Sequence, residues 1–281
     1  MNKRVLIISL SGILIWGCTE RIDVQLDSTY SRLVVDGAIS TDAGPHRIAL
    51  TSTASYFYNE PALRVVNATL SLTDGTSIFP MHETVPGQSG MYETDSGFSG
   101  AVGKNYVLNI GLSEAIGGAS EYSASCSLKD VTRIDSIRAV FHPEWGKEGV
   151  WSVKLWAQEP ANETNYYMFN LYRNGILLTD TLNKKVVSDD ALINGSYITG
   201  IDVVYLNNAH KWETIYPGDT ITLQMSGITK EYYNFIDQVK QAGFNIPFFS
   251  GPPANVEGNI DNGGVGFFAA YSNDYAKAVV K

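Results

Sequence analysis

Cys18 and Cys126 are the two thiols of the chain, and their surroundings ask different things of them. Cys18 follows Lys3, Arg4 and an uncharged run over residues 5–16, with Gly17 just before it and the first acid, Glu20, soon after. A basic start, a short apolar centre and a small residue at the cut make an export signal. The run falls short of the roughly 20 apolar residues of a spanning helix. The cysteine points to a lipoprotein-type signal: residues 1–17 are removed and Cys18 becomes a lipidated N-terminus, palmitate being one of the acyl chains expected there. Several acyl chains, each adding about 0.8 kcal/mol per buried methylene, give lasting attachment. A general secretory signal cut elsewhere and an uncleaved anchor are the alternatives, and no A-x-A-like site follows. Cys126, in "EYSASCSLKD", has no base beside it to activate a thiolate. The alternation there makes it a small buried residue of a strand.

The remaining reactive side chains are dispersed. His46, His82, His142 and His210 share no two-histidine spacing, and "MHET" is only a fragment of a zinc motif. There is no nucleophile elbow, P-loop or dinucleotide fingerprint; "GQSGM" around Ser89 reads as a turn. Asp189 and Asp190 are adjacent, so on a strand they point to opposite faces and do not form a facing acid pair. "NIDNGG" offers Asn259, Asp261 and Asn262 as oxygen ligands for calcium, with Glu257 nearby. A tight turn explains the same letters: Asp261 and Asn262 bond their own backbone, and Gly263 and Gly264 take positive φ. The expectation is a chain with no catalytic residue, no metal site and no cofactor. An enzyme would need the fold to bring His142 or His210 to an acid in a cleft.

Such side chains would be held mainly by strands. Runs such as "RLVVDGAIS", "HRIALTS", "NATLSLTDG", "KNYVLNIGL" and "EYSASCSL" alternate apolar and polar residues, with Gly, Pro, Asp and Asn between them. That spacing predicts an Ig-like β-sandwich over residues 31–129, after a lipidated tether over 18–30. A second β-rich domain follows over 130–281, so the fold class is mainly β, with two sandwich-like domains. Asn174-Gly175 is a two-residue hairpin turn between Tyr172 and Leu177, and Pro217-Gly218 is another turn. The single helix, expected at about 229–242, shows Ile228, Tyr232, Phe235, Ile236 and Val239 at helical spacing, a Thr229 cap and a closing Gly243. Trp151 and Trp156 differ by an odd number and face opposite ways on one strand, so the tryptophans form no ready platform. Trp145, Phe248 and Phe249 lie in loops, where they are candidates for exposed anchors. Acids outnumber bases by 29 to 20, which makes nucleic acid a poor partner.

The closing stretch "GPPANVEGNIDNGGVGFFAAYS" after the helix, together with "LVVDGAIS", "HRIALTST", "GMYETD" and "VGKNYVLNI", resembles the domain of unknown function 4249 family of Bacteroidota lipoproteins. The resemblance implies an outer-membrane protein held by its lipid, encoded beside TonB-dependent transporters, with no assigned catalytic residues. It leaves open whether the protein faces the periplasm or the cell surface. The expected function is a binding or accessory role beside such a transporter, the terminal loop serving as contact surface through Phe248, Phe249, Asn255, Asn259, Asp261 and Asn262. The alternative is a freestanding adhesin or glycan-binding module, which a concerted set of exposed aromatics around one groove would favour. Four Asp-Ser/Thr-apolar stretches resemble O-glycosylation acceptors of exported proteins in the same phylum, at Ser28, Ser136, Thr181 and Thr220. A turn residue followed by a β-former is also how a strand begins.

Overall fold

The computed structural model describes residues 31–53, 62–161, 163–243 and 256–281. The leader, Cys18, the tether with Ser28, and Phe248, Phe249 and Asn255 lie outside the described residues. The first half is built from β1 (Leu33–Ser40), β2 (Arg47–Ser52), β3 (Thr69–Thr73), β4 (Ile78–Glu83), β5 (Met91–Glu93), β6 (Asn105–Ile116) and β7 (Ala119–Ser127). Next come β8 (Ile134–His142), β9 (Val150–Gln158), β10 (Tyr166–Arg173), β11 (Ile176–Leu177), β12 (Val186–Asp189), β13 (Tyr197–Asn207) and β14 (Thr220–Ile228). The helix α1 (Lys230–Gly243) and the long β15 (Val265–Val279) complete the chain. Among the described residues the fold is mainly β, as the alternation indicates, with one α-helix.

Two sheets result. The larger runs β11-β10-β14-β15-β1-β2-β5-β4-β3-β6-β7, with β12 also paired to β10; the smaller is β13-β9-β8. Period-two alternation sets which side of each strand is buried. Tyr106, Leu108 and Ile110 of β6 and Tyr122, Ala124 and Cys126 of β7 meet Leu33, Val35, Ile48 and Leu50 in one apolar cluster. Each fully buried aliphatic side chain contributes about 1.5–3 kcal/mol. A second cluster packs Trp151, Val153 and Leu155 of β9 against Leu171, Leu223 and Met225 of β10 and β14. Residues 33–128 supply most of the first cluster, yet Ile260, Phe268 and Ala270 from the far end of the chain enter it too.

That contribution follows from β15. It pairs antiparallel with β14 and parallel with β1, Val34 opposite Val265 through Ser40 opposite Tyr271. A parallel neighbour from the other end of the chain leaves no mark in the alternation. Gly266 makes the approach feasible: its φ is 95°, and a β-carbon there would overlap the Val35 carbonyl. The hairpin turn is as expected, with Asn174 and Gly175 both at positive φ and Tyr172 paired to Leu177. β4 and β12 were not among the sequence runs, since Pro80 and a short, half-buried "VVSD" hide the pattern.

The helix starts where Thr229 accepts the Tyr232 N–H on its hydroxyl (3.3 Å) and the Tyr233 N–H on its carbonyl (3.0 Å). Its buried face, Tyr232, Phe235 and Ile236, covers Met168, Phe267 and Ala269 on the large sheet. On the same sheet face a polar row runs across three strands. Asn170 Nδ2 donates to Gln224 Oε1 (3.3 Å), Gln224 Nε2 to Asn273 Oδ1 (2.9 Å), and Asn273 Nδ2 to Asp42 Oδ2 (2.6 Å). Among the described residues no helix is long and apolar enough to cross a membrane.

Candidate functional site

The outward face of β8, β9 and β13 gathers aromatic and charged side chains that the chain order keeps apart. Three cross-strand rungs build it: Val140–Ser152–Tyr205, Arg138–Lys154–Asp202 and Ser136–Trp156–Thr199. Inward residues of β9 are all buried, Trp151 among them, so Trp156 is left on the outward side as its odd spacing requires. Trp145, from the loop between β8 and β9, is 39% exposed and lies flat on His142. The Tyr205 ring, 55% exposed, is 6.1 Å from Trp145. Arg138 stands 5.8 Å from the centre of the Trp156 ring. Gly200, at φ 81° in a bulge of β13, leaves room for the Trp156 indole, which a β-carbon there would overlap.

The polar members are linked beneath these rings. Lys154 Nζ sits 2.9 Å from Asp202 Oδ1. Burial alone would raise the Asp202 carboxyl, but the Ser152 hydroxyl and the Lys154 ammonium outweigh it and hold the group below its ordinary value. His142 Nε2 is 3.0 Å from Ser152 Oγ, and its Nδ1 is 3.6 Å from Glu144. Serine, histidine and acid stand in the order of a nucleophile, base and orienting group. Ser152, however, has no exposed surface, so the trio pins the loop to the sheet and offers no nucleophile to a substrate. His210 is 2.8 Å from Glu213 in an exposed loop. Neither histidine is brought to an acid inside a cleft.

The described terminal-loop residues, Asn259, Asp261 and Asn262, are committed inside the chain. The Asn259 side chain donates to Phe268 O (2.8 Å) and Ser125 O (3.0 Å) and accepts from Phe268 N (2.9 Å). Asp261 accepts the Ser123 N–H (2.6 Å) and hydroxyl (2.8 Å), and Asn262 donates to Glu121 O (2.8 Å). The turn expectation needs two corrections. Asp261 and Asn262 bond the neighbouring strand β7, not their own backbone, because "NIDNGG" lies alongside it. Positive φ falls on Asn262 and Gly263, not on Gly264. Among the described residues, no three His, Cys, Asp or Glu side chains gather as a metal-holding group.

Ser136 is exposed on the aromatic face beside Trp156. Thr181 is exposed at the start of a short 3₁₀ turn, next to the Asp180–Lys184 ion pair. Thr220 is half-buried, its N–H held by Asn174 Oδ1 (2.9 Å). Cys126 is buried, with the Ala270 N–H donating to its sulfur (3.2 Å).

Sequence reading missed two groupings. Tyr205 joins Trp145 and Trp156 only through strand pairing, and spacing within β9 alone gives no sign of it. Asp190 does meet an acid, Glu159, through Asn165, whose Nδ2 lies 3.3 Å from Glu159 Oε1 and 3.5 Å from Asp190 Oδ2. A search among curated proteins finds no match. The family model described as Domain of unknown function (DUF4249) matches residues 19–276, so the chain belongs to that family.

Proposed function

We propose that the protein is an outer-membrane lipoprotein, anchored through Cys18, with a binding or accessory role beside a TonB-dependent transporter. The outward face of β8, β9 and β13 is its contact surface. The observation that carries this reading is the exposed set of Trp145, Tyr205 and Tyr197 with half-buried Trp156, around Arg138, Lys154 and Asp202. Trp, Tyr and Arg are the residue types that dominate protein-binding hot spots. A broad pleated face suits a broad protein partner. The apolar run that ends in Gly17-Cys18 supports the anchor.

The test is cross-linking in native membranes with a tag after Lys281, gentle detergent extraction and mass spectrometry of what stays bound. A β-barrel transporter recovered with the wild-type chain and lost with Trp145→Ala/Tyr205→Ala supports the proposal. A lipoprotein recovered alone, under conditions that preserve other membrane complexes, overturns the transporter role. The same rings favour a second reading, a glycan-binding module, because flat aromatic faces beside charged hydrogen-bonding groups receive sugar rings. Binding to a glycan array that depends on Trp145 and Tyr205 would establish it.

A further inference from the structure

A cavity of about 250 Å³ lies between β9 and β13 on one side and β10, β12 and β14 on the other. Leu155, Phe169, Ile198, Val203 and Met225 give it an apolar lining, and Glu159 is among its walls. Its volume is just below the range of about 300–1,000 Å³ that holds drug-sized ligands.

Glu159 is 1% exposed. Its Oε1 accepts from the Tyr167 hydroxyl (2.7 Å) and from Asn165 (3.3 Å), while Oε2 has no hydrogen-bond partner. Asp190, fully buried, is in the same condition: Oδ2 accepts from Asn194 (3.2 Å) and Asn165 (3.5 Å), and Oδ1 has no partner. The two carboxyl groups thus share one amide donor, and no cation is found among their hydrogen-bond partners in the described residues. Removing a carboxylate from water is costly unless a cation or several N–H groups replace the lost hydration. Here Glu159 lines an apolar cavity and buried Asp190 is joined to it through Asn165, each acid with one oxygen unused.

We propose that this cavity binds a small amphipathic amine, its apolar body among Leu155, Phe169, Ile198 and Met225 and its ammonium group on the free oxygen of Glu159. Asp190, joined to Glu159 through Asn165, adds negative potential nearby. An acid or a neutral alcohol of the same length would leave the carboxylate unmatched, so the site selects charge as well as shape.

The experiment is titration calorimetry on the detergent-solubilised full chain with n-hexylamine, n-hexanol and hexanoate at neutral pH. The expected result is that hexylammonium binds at least about tenfold tighter than hexanol, and hexanoate more weakly still. Glu159→Gln, whose amide oxygen can still accept from Tyr167, should bring hexylammonium down to the level of hexanol. Ile201→Trp, on the 40%-exposed rim of the cavity, should weaken both while leaving Glu159 in place. Both variants are checked for a native unfolding transition first. Equal binding of hexanol and hexylammonium overturns the proposal, as does undiminished hexylammonium binding in either folded variant. Absence of hexylammonium binding to the folded wild type overturns it too.

Discussion

The rings of Trp145 and His142 are stacked, with centroids 3.8 Å apart and planes 7° from parallel. The indole shields the imidazole whose Nε2 meets buried Ser152. One loop residue therefore both covers a hydrogen bond and presents an aromatic surface outward.

These two roles separate under mutation. Trp145→Ala should lower stability by only about 1 kcal/mol, since the ring is partly solvated and aromatic pairs contribute about 0.5–1.5 kcal/mol beyond burial. Partner capture should fall much more, as for an interface anchor. Urea unfolding beside the membrane pull-down measures both. A loss of capture matched by wholesale unfolding would remove the contact role.

Asn259 imitates a strand residue, exchanging two hydrogen bonds with the backbone of Phe268 through its side-chain amide. Asn259→Asp keeps the size and removes the donor, placing a carboxylate against the Phe268 carbonyl. A loss of about 1–3 kcal/mol is expected from the half-buried unsatisfied groups. The shift of the urea midpoint at constant slope checks it.

Gly266→Ala should be among the most damaging single-carbon changes. The position combines a φ of 95° with the close Val35 carbonyl, so strain and overlap act together. The cost should exceed about 2 kcal/mol, seen as a lower melting temperature. Gly175→Ala, with the same sign of φ but open space around it, should cost less; equal losses would mean that the carbonyl contact is unimportant.

Burial pushes the Cys126 thiol up to about 11, with the Ala270 contact only partly offsetting it. In the folded protein iodoacetamide should leave it unmodified at pH 8, and denaturant should expose it. Between about pH 9 and 11 the unfolded chain ionises this thiol while the folded chain keeps it protonated. The unfolded state then binds fewer protons, so stability falls as pH rises through that window. Cys126→Ala should show a shallower alkaline decline. An identical decline would assign it to other groups.

The parts of this fold that were legible in the sequence are local. The 3.6-residue spacing of Tyr232, Phe235 and Ile236 located the helix, Asn174-Gly175 located its hairpin, and alternation placed Cys126 inside. Alternation tells which way a side chain points but not what lies opposite. Tyr205 beside Ser152, Glu159 beside Asp190, and Asn259 on Phe268 all depend on pairings between distant segments. The acids were the least legible: Asp189 and Asp190 drew attention as neighbours, whereas the chemistry of Asp190 comes from Glu159 across the loops.

The last strand also orders the events of folding. β15 is synthesised after every other described strand, yet it flanks β1 and contributes Phe268 and Ala270 to the first apolar cluster. A nascent chain lacking it leaves β1 with an unpaired edge and that cluster open on one side. The N-terminal strands therefore acquire their complete packing only when the segments around β1 and β15 meet, which makes the closing of this long-range pair a late event of folding.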